Sequence, residues 1–144
     1  QAYVPAVTAE TAAVPAGHLR VAVVGAHLTG MPLNRELTER NAILVESTQT
    51  ADSYRLYALA QTVPPKPGLA RSKDGAPITV ELWDIPLPAF GSFVAGVPAP
   101  LGIGTLELSD GRLVKGFICE PYALESAQDI TSFGGWRAYC NRAA

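Results

Sequence analysis

Two cysteines and two histidines are all that 144 residues offer as soft metal ligands, so none of the usual Cys/His spacings of a metal centre occurs. Charge is scarce too: charged residues make up 17% and the net charge is −2, which excludes the basic footprint of a nucleic-acid binder. Apolar runs such as Val21–Val24 stop after four or five residues, where a membrane-spanning helix needs roughly 20. Also missing are a Gly-x-Ser-x-Gly elbow, a P-loop and a dinucleotide Gly-x-Gly-x-x-Gly, so neither elbow-type hydrolysis nor a nucleotide or other cofactor is expected. The chain opens on Gln1 with no Met and no basic leader, which reads as a piece of a longer protein without a secretory signal. Cys119 and Cys140 fit free, buried thiols of a cytoplasmic protein.

What is present is one domain's worth of short elements. Residues 1–18 are mostly Ala, Val, Thr and Pro without sustained periodicity, and read as a linker or N-terminal arm ahead of a domain over 19–144. Strands are expected over 19–25, 42–50, 54–59 and 77–85. A hairpin is expected from 103–108 and 112–119 around Ser109-Asp110-Gly111. The Pro-rich loop 63–68 reads as rigid and unable to join a ladder. Helices are expected over 32–40, with Pro32 in the first turn, and over 88–96, where Phe90, Phe93, Val94 and Val97 recur at helical spacing. A short helical stretch capped by Ser132 is expected to put Phe133, Trp136 and Tyr139 or Cys140 on one face. Short strands and small helices in this order predict an α+β fold with the sheet curled into a small mixed β-barrel.

The most informative stretch is Val23-Val24-Gly25-Ala26-His27. An apolar strand ending on Gly25 and Ala26 brings backbone N–H groups where a ligand's oxygens can approach, and Gly25 reads as a position for positive φ. His27 follows at once and carries the side chain that titrates nearest neutrality; a corner histidine bonded to a carbonyl is the bland alternative. Lys66 sits among Pro64, Pro65, Pro67 and Gly68, a stiff loop that presents a cation with little entropy left to lose. Arg55, Glu81 and Lys115 alternate with apolar neighbours, so each faces either solvent or a barrel mouth. Tyr57 lies on the opposite side of its strand from Tyr54, so at most one of the two lines a given pocket.

Read together, Val23 to Asn34, Tyr54-Arg55-Leu56-Tyr57, Pro64-Pro65-Lys66-Pro67-Gly68, Pro100 to Gly104, Lys115-Gly116-Phe117 and Gly134-Gly135-Trp136-Arg137 closely resemble the C-terminal domain of allophanate hydrolases, over essentially Leu19 to Tyr139. The resemblance implies a γ-glutamyl cyclotransferase-like fold and a place in urea or cyanuric-acid nitrogen release. It implies as partner an amidase domain of the same polypeptide, whose Ser–cis-Ser–Lys centre is not in this chain. It implies a small carboxylated-urea substrate, N-carboxyurea, decarboxylated here. In that setting the Gly25 and Ala26 amides with Lys66 or Arg55 would hold the carboxylate, and His27 would supply a proton. A non-catalytic assembly module is the alternative, with the N-terminal arm and Gly-Gly-Trp as contact surfaces and a homo-oligomer as one outcome. Cyclotransferase activity itself is not expected. That pattern has a glutamate after the long helix, and this chain reads Val97-Pro98-Ala99-Pro100 there, with no carboxylate to move the proton.

Overall fold

The computed structural model describes residues 13–142; most of the expected arm, residues 1–12, lies outside them. Strand β1 (His18–Val23) supplies the centre. Val21, Ala22 and Val23 are fully buried, as an apolar run needs when both faces of its strand are covered. It pairs antiparallel with β5 (Thr79–Pro86) and parallel with β7 (Leu113–Cys119). Outside these lie β2 (Ile43–Gln49) and β6 (Leu101–Glu107), in the order β2-β5-β1-β7-β6. The register sets Arg20 opposite Asp84. Their side chains form a bidentate pair at 2.8 and 2.9 Å, the geometry in which a buried arginine and carboxylate satisfy one another.

A second sheet, β4-β3-β8, joins β4 (Pro67–Arg71), β3 (Tyr54–Ala58) and β8 (Gln128–Asp129). It packs on the first through β4 and β7: a Cβ on Gly68 would sit 2.8 Å from Cys119 Sγ. Helix α1 (Arg35–Thr38) follows β1, α2 (Leu87–Ala95) follows β5, and α3 (Trp136–Cys140) ends the chain after 3-10 turns at Pro121–Leu124 and Thr131–Phe133.

The mixed α+β class holds, but the sheet is not a closed barrel. Its edge strands meet only at their ends, where Thr50 bridges Leu108 and Ala51 N–H donates to the Glu107 carbonyl at 2.9 Å. The rest of the curl is covered by the second sheet. The Pro-rich loop does reach a ladder. Pro67 opens β4 opposite Ala58, and β4 is an edge strand, where a missing N–H leaves no partner wanting. Helix α1 starts three residues later than Pro32 because tight turns occupy the stretch, with Leu33 N–H bonded to the Ala26 carbonyl at 2.8 Å. Ser132 caps nothing. Gly134 at φ 77° breaks the stretch into a 3-10 turn and α3, whose N-cap is Gly135. The aromatic face survives the break: Tyr139 meets both Phe133 and Trp136. Cys119 is buried as expected, whereas Cys140 is exposed. Strand β1 begins at His18, and just before it the Gly17 carbonyl accepts from Leu87 N–H at 2.8 Å.

Candidate active site

The end of β1 and the start of β4 meet at Gly25. This residue is not among the glycines with positive φ; it is required for close approach. A Cβ there would lie 2.2 Å from Pro67 Cδ, so the strand end and the Pro-Lys-Pro loop can touch only if one of them lacks a side chain. Gly25→Ala should therefore force the two apart and cost about 1–3 kcal/mol, the range of an overpacked core, measured by urea unfolding.

This contact closes one side of a cavity of about 200 Å³. Its apolar walls include Leu33, Val63, Pro64, Val97, Pro98 and Leu101. Three ionisable side chains line it: His27, Glu36 and Lys66. His27 is buried, stacked on Phe117 at 5.1 Å and 14° and met edge-on by Phe93 at 5.2 Å. Its backbone is pinned by Asn34 Nδ2, which donates to the His27 carbonyl at 2.9 Å. Nε2 lies 2.7 Å from Glu36 Oε1, so the tautomer that suits the carboxylate carries its hydrogen on Nε2 and leaves Nδ1 as the free nitrogen.

Burial pushes the His27 imidazole below its ordinary value, against the pull of Glu36, and the charges of Lys66 and Arg40 push the same way as burial. The sign for stability follows. Above the ordinary histidine value of about 6.5, folded and unfolded chains both carry neutral imidazole and the contribution is complete. As pH falls through the window below that value, the unfolded chain takes up the proton more readily and the contribution is lost. The urea midpoint should drop more between about pH 7 and 5 in the wild type than in His27→Gln.

Lys66 is only 8% exposed. Its backbone N–H is held by Thr62 Oγ1 at 2.9 Å and its carbonyl by Leu59 N–H at 3.1 Å. Its ammonium makes no ion pair and no side-chain hydrogen bond among the described residues. Among the described residues no side-chain nitrogen is both buried and without a partner, so the ammonium is open to the space of the cavity that Lys66 lines, which is where an anion fits. The N–H groups of Gly25, Ala26 and His27 likewise find no acceptor among the described residues.

Of the residues singled out from the sequence, Gly25, Ala26, His27 and Lys66 come together, and four do not. Arg55 pairs with Asp129 at 2.7 Å and donates to the Asp74 carbonyl on the three-stranded sheet. Tyr57 stands on that same strand, opposite Gly68, outside the cavity lining. Lys115 bonds Thr105 across the hairpin at 3.1 Å. Glu81 is buried and structural: it accepts from Thr29 N and Oγ1, from Trp83 Nε1 and from Arg137, fastening α3 to the turn after β1. Glu81→Ala should cost about 2 kcal/mol, the penalty for leaving buried donors unpaired, read from thermal or urea unfolding. The Gly-Gly-Trp contact surface fails for a related reason, since Trp136 is itself buried.

Glu36, Phe93 and Phe117 are the site residues that sequence reasoning passed over. Glu36 lies within the expected helix 32–40, but Glu39 lies there too, and helical spacing alone does not choose between them.

The family model of the allophanate hydrolase C-terminal domain matches residues 19–141. The chain belongs to that family. The urea amidolyase of Saccharomyces cerevisiae is 45% identical over 130 residues, covering 87% of this chain and 7% of that protein. The allophanate hydrolase of Kluyveromyces lactis is similar in structure, with a TM-score of 0.82 and 44% identity over 85% of this chain and 21% of that one. A uropathogenic E. coli-specific protein matches with a TM-score of 0.80 and 31% identity over 88% of this chain and 98% of its own. This chain thus spans a small part of the long yeast proteins and matches nearly the whole of the last one. Its fold is of the γ-glutamyl cyclotransferase-like kind. Among the described residues, no helix of this domain is long and apolar enough to cross a membrane.

Proposed function

We propose that this domain binds N-carboxycarbamate in the His27–Lys66 cavity and releases CO2 from it, within a longer cytoplasmic enzyme whose amidase domain makes that dicarboxylate during urea nitrogen release. N-carboxyurea, which the resemblance suggested, is allophanate itself, and removing its amide nitrogen as ammonia leaves −OOC–NH–COO−. The observation that supports this most is Lys66, which lines the cavity and forms no ion pair with the fold among the described residues. Size agrees. A cavity of about 200 Å³ holds about seven water-sized volumes, and N-carboxycarbamate has about that many non-hydrogen atoms.

Lys66 and the amides of Gly25–His27 hold the carboxylate. A cation bound only to that group stabilises the reactant as much as the transition state and gives affinity without rate. The rate comes from His27 and the walls. As one carbamate C–N bond breaks, its electron pair goes to the bridging nitrogen, Nδ1 of the imidazolium delivers a proton there, one carboxylate leaves as neutral CO2 and carbamate remains. The imidazole then recovers a proton from water. Apolar walls favour neutral CO2 over the anion it came from. A bound anion beside His27 also favours its protonated form, offsetting burial when the acid is needed.

A stable isostere tests the binding half. Malonate, with CH2 in place of the reacting N–H, should shift the amide resonances of Gly25, Ala26 and His27 in an NMR titration and should raise the His27 titration midpoint. Binding that leaves those resonances in place would put the anion site elsewhere.

A further inference from the structure

Phe117 meets His27 face to face. The two rings lie 14° from parallel with centroids 5.1 Å apart, and Phe117 is buried while lining the cavity. Strand β7 runs parallel to β1 and pairs with it through Ala22 and Gly116, so Phe117 follows directly after the last pair. Phe93 comes from α2 and meets the imidazole at 69°. The charges that act on His27 are Glu36 and Arg40, on and just after α1, and Lys66, before β4. Helix α2 holds no charged residue, and the one charged residue of β7, Lys115, is turned to Thr105. What β7 offers the imidazole is a π face.

From this geometry we infer that Phe117 is a positioning residue for proton delivery, its face fixing the plane of the His27 ring and favouring the imidazolium over the neutral form. The inference rests on the proton-donor reading of His27 above. The face of an aromatic ring is the negative part of its quadrupole, and a cation within about 6 Å of the centroid is attracted to it. A neutral imidazole gains only the ordinary stacking contact. The stack also fixes direction. With the rings nearly parallel, both imidazole nitrogens point along the Phe117 face and not into it, so Nε2 meets Glu36 while Nδ1 stays open. Glu36 selects the tautomer, and Phe117 sets the plane in which it lies. A second carboxylate beside His27 would favour the imidazolium too, but it would repel a dicarboxylate substrate. A π face offsets part of the cost of burial without that repulsion.

Fluorination of the Phe117 ring tests this, because it drains negative charge from the face and hardly changes the shape. The full chain carrying phenylalanine, 4-fluorophenylalanine or 3,4,5-trifluorophenylalanine in place of Phe117 is titrated by NMR without ligand, with His27→Gln assigning the His27 signal against His18. The midpoint should fall stepwise along the series, by about half to one unit at its end. The basic limb of CO2 release should move the same way, so that above the limb the rate falls about three- to tenfold. If the trifluoro form does not fold, the 4-fluoro form should still lower the midpoint by part of that amount. A midpoint that stays level across the series would overturn the role of Phe117, as expected of a ring that only fills space. Failure of the underlying reading shows elsewhere: a wild-type chain that does not speed CO2 release overturns proton delivery by His27 even where the midpoint follows the fluorines.

Discussion

His27→Gln will slow CO2 release from N-carboxycarbamate by about 10²–10⁴-fold, the usual worth of a positioned general acid, while changing malonate affinity only a few-fold. Glutamine keeps an amide N–H that can face Glu36 and roughly fills the slot between Phe93 and Phe117, so the fold and the anion cradle persist. It has no transferable proton. The loss should therefore fall on kcat and leave KM largely in place, the pattern of an interaction realised only in the transition state. The wild-type rate should decline on the basic side as the imidazolium of the complex is titrated, and that limb should vanish in the variant. Its midpoint should lie above that of the free protein, because burial holds the free imidazole low and a bound anion raises it.

Lys66→Met carries the second large effect, and it divides between function and stability. Methionine follows the aliphatic stem of lysine and removes the charge. Losing one partner of a desolvated charge pair typically costs 2–5 kcal/mol, so malonate affinity should fall by about 100-fold or more. In the unliganded chain the same change removes a cation that the fold does not pair, and stability should rise by about 1 kcal/mol, as when a strained functional site is relieved. A lysine that served only the fold would show the opposite sign. Unfolding in urea beside the binding titration separates the two.

Much of this site was legible because its parts are local in sequence. Gly25-Ala26-His27 reads as a strand end with a histidine, and Pro65-Lys66-Pro67 as a cation on a stiff loop. Their meeting was not legible, since it depends on Pro67 lying against the missing Cβ of Gly25, a contact between two sheets. Strand alternation misled at Lys115. It shares a strand face with Phe117, which stacks on His27, yet it lies at the end of that face which is open to solvent. Alternation gives the side of a sheet and not the distance along it. Glu81 misled differently: a polar residue in an apolar strand was buried to gather donors from the turn after β1, from Trp83 and from α3. The barrel was over-read for want of a sign that β4 and β8 leave the main sheet for a second one.

Rapid mixing of N-carboxycarbamate freshly formed from allophanate, with and without this chain, with dissolved CO2 read directly, tests the central claim. N-carboxycarbamate loses CO2 without help, so the quantity that matters is the rate above the spontaneous one. CO2 should appear faster in proportion to the concentration of the chain, saturate with N-carboxycarbamate, and return close to the spontaneous rate with His27→Gln or Lys66→Met. A CO2 trace that is the same with wild-type chain, with either variant and with none would contradict the account.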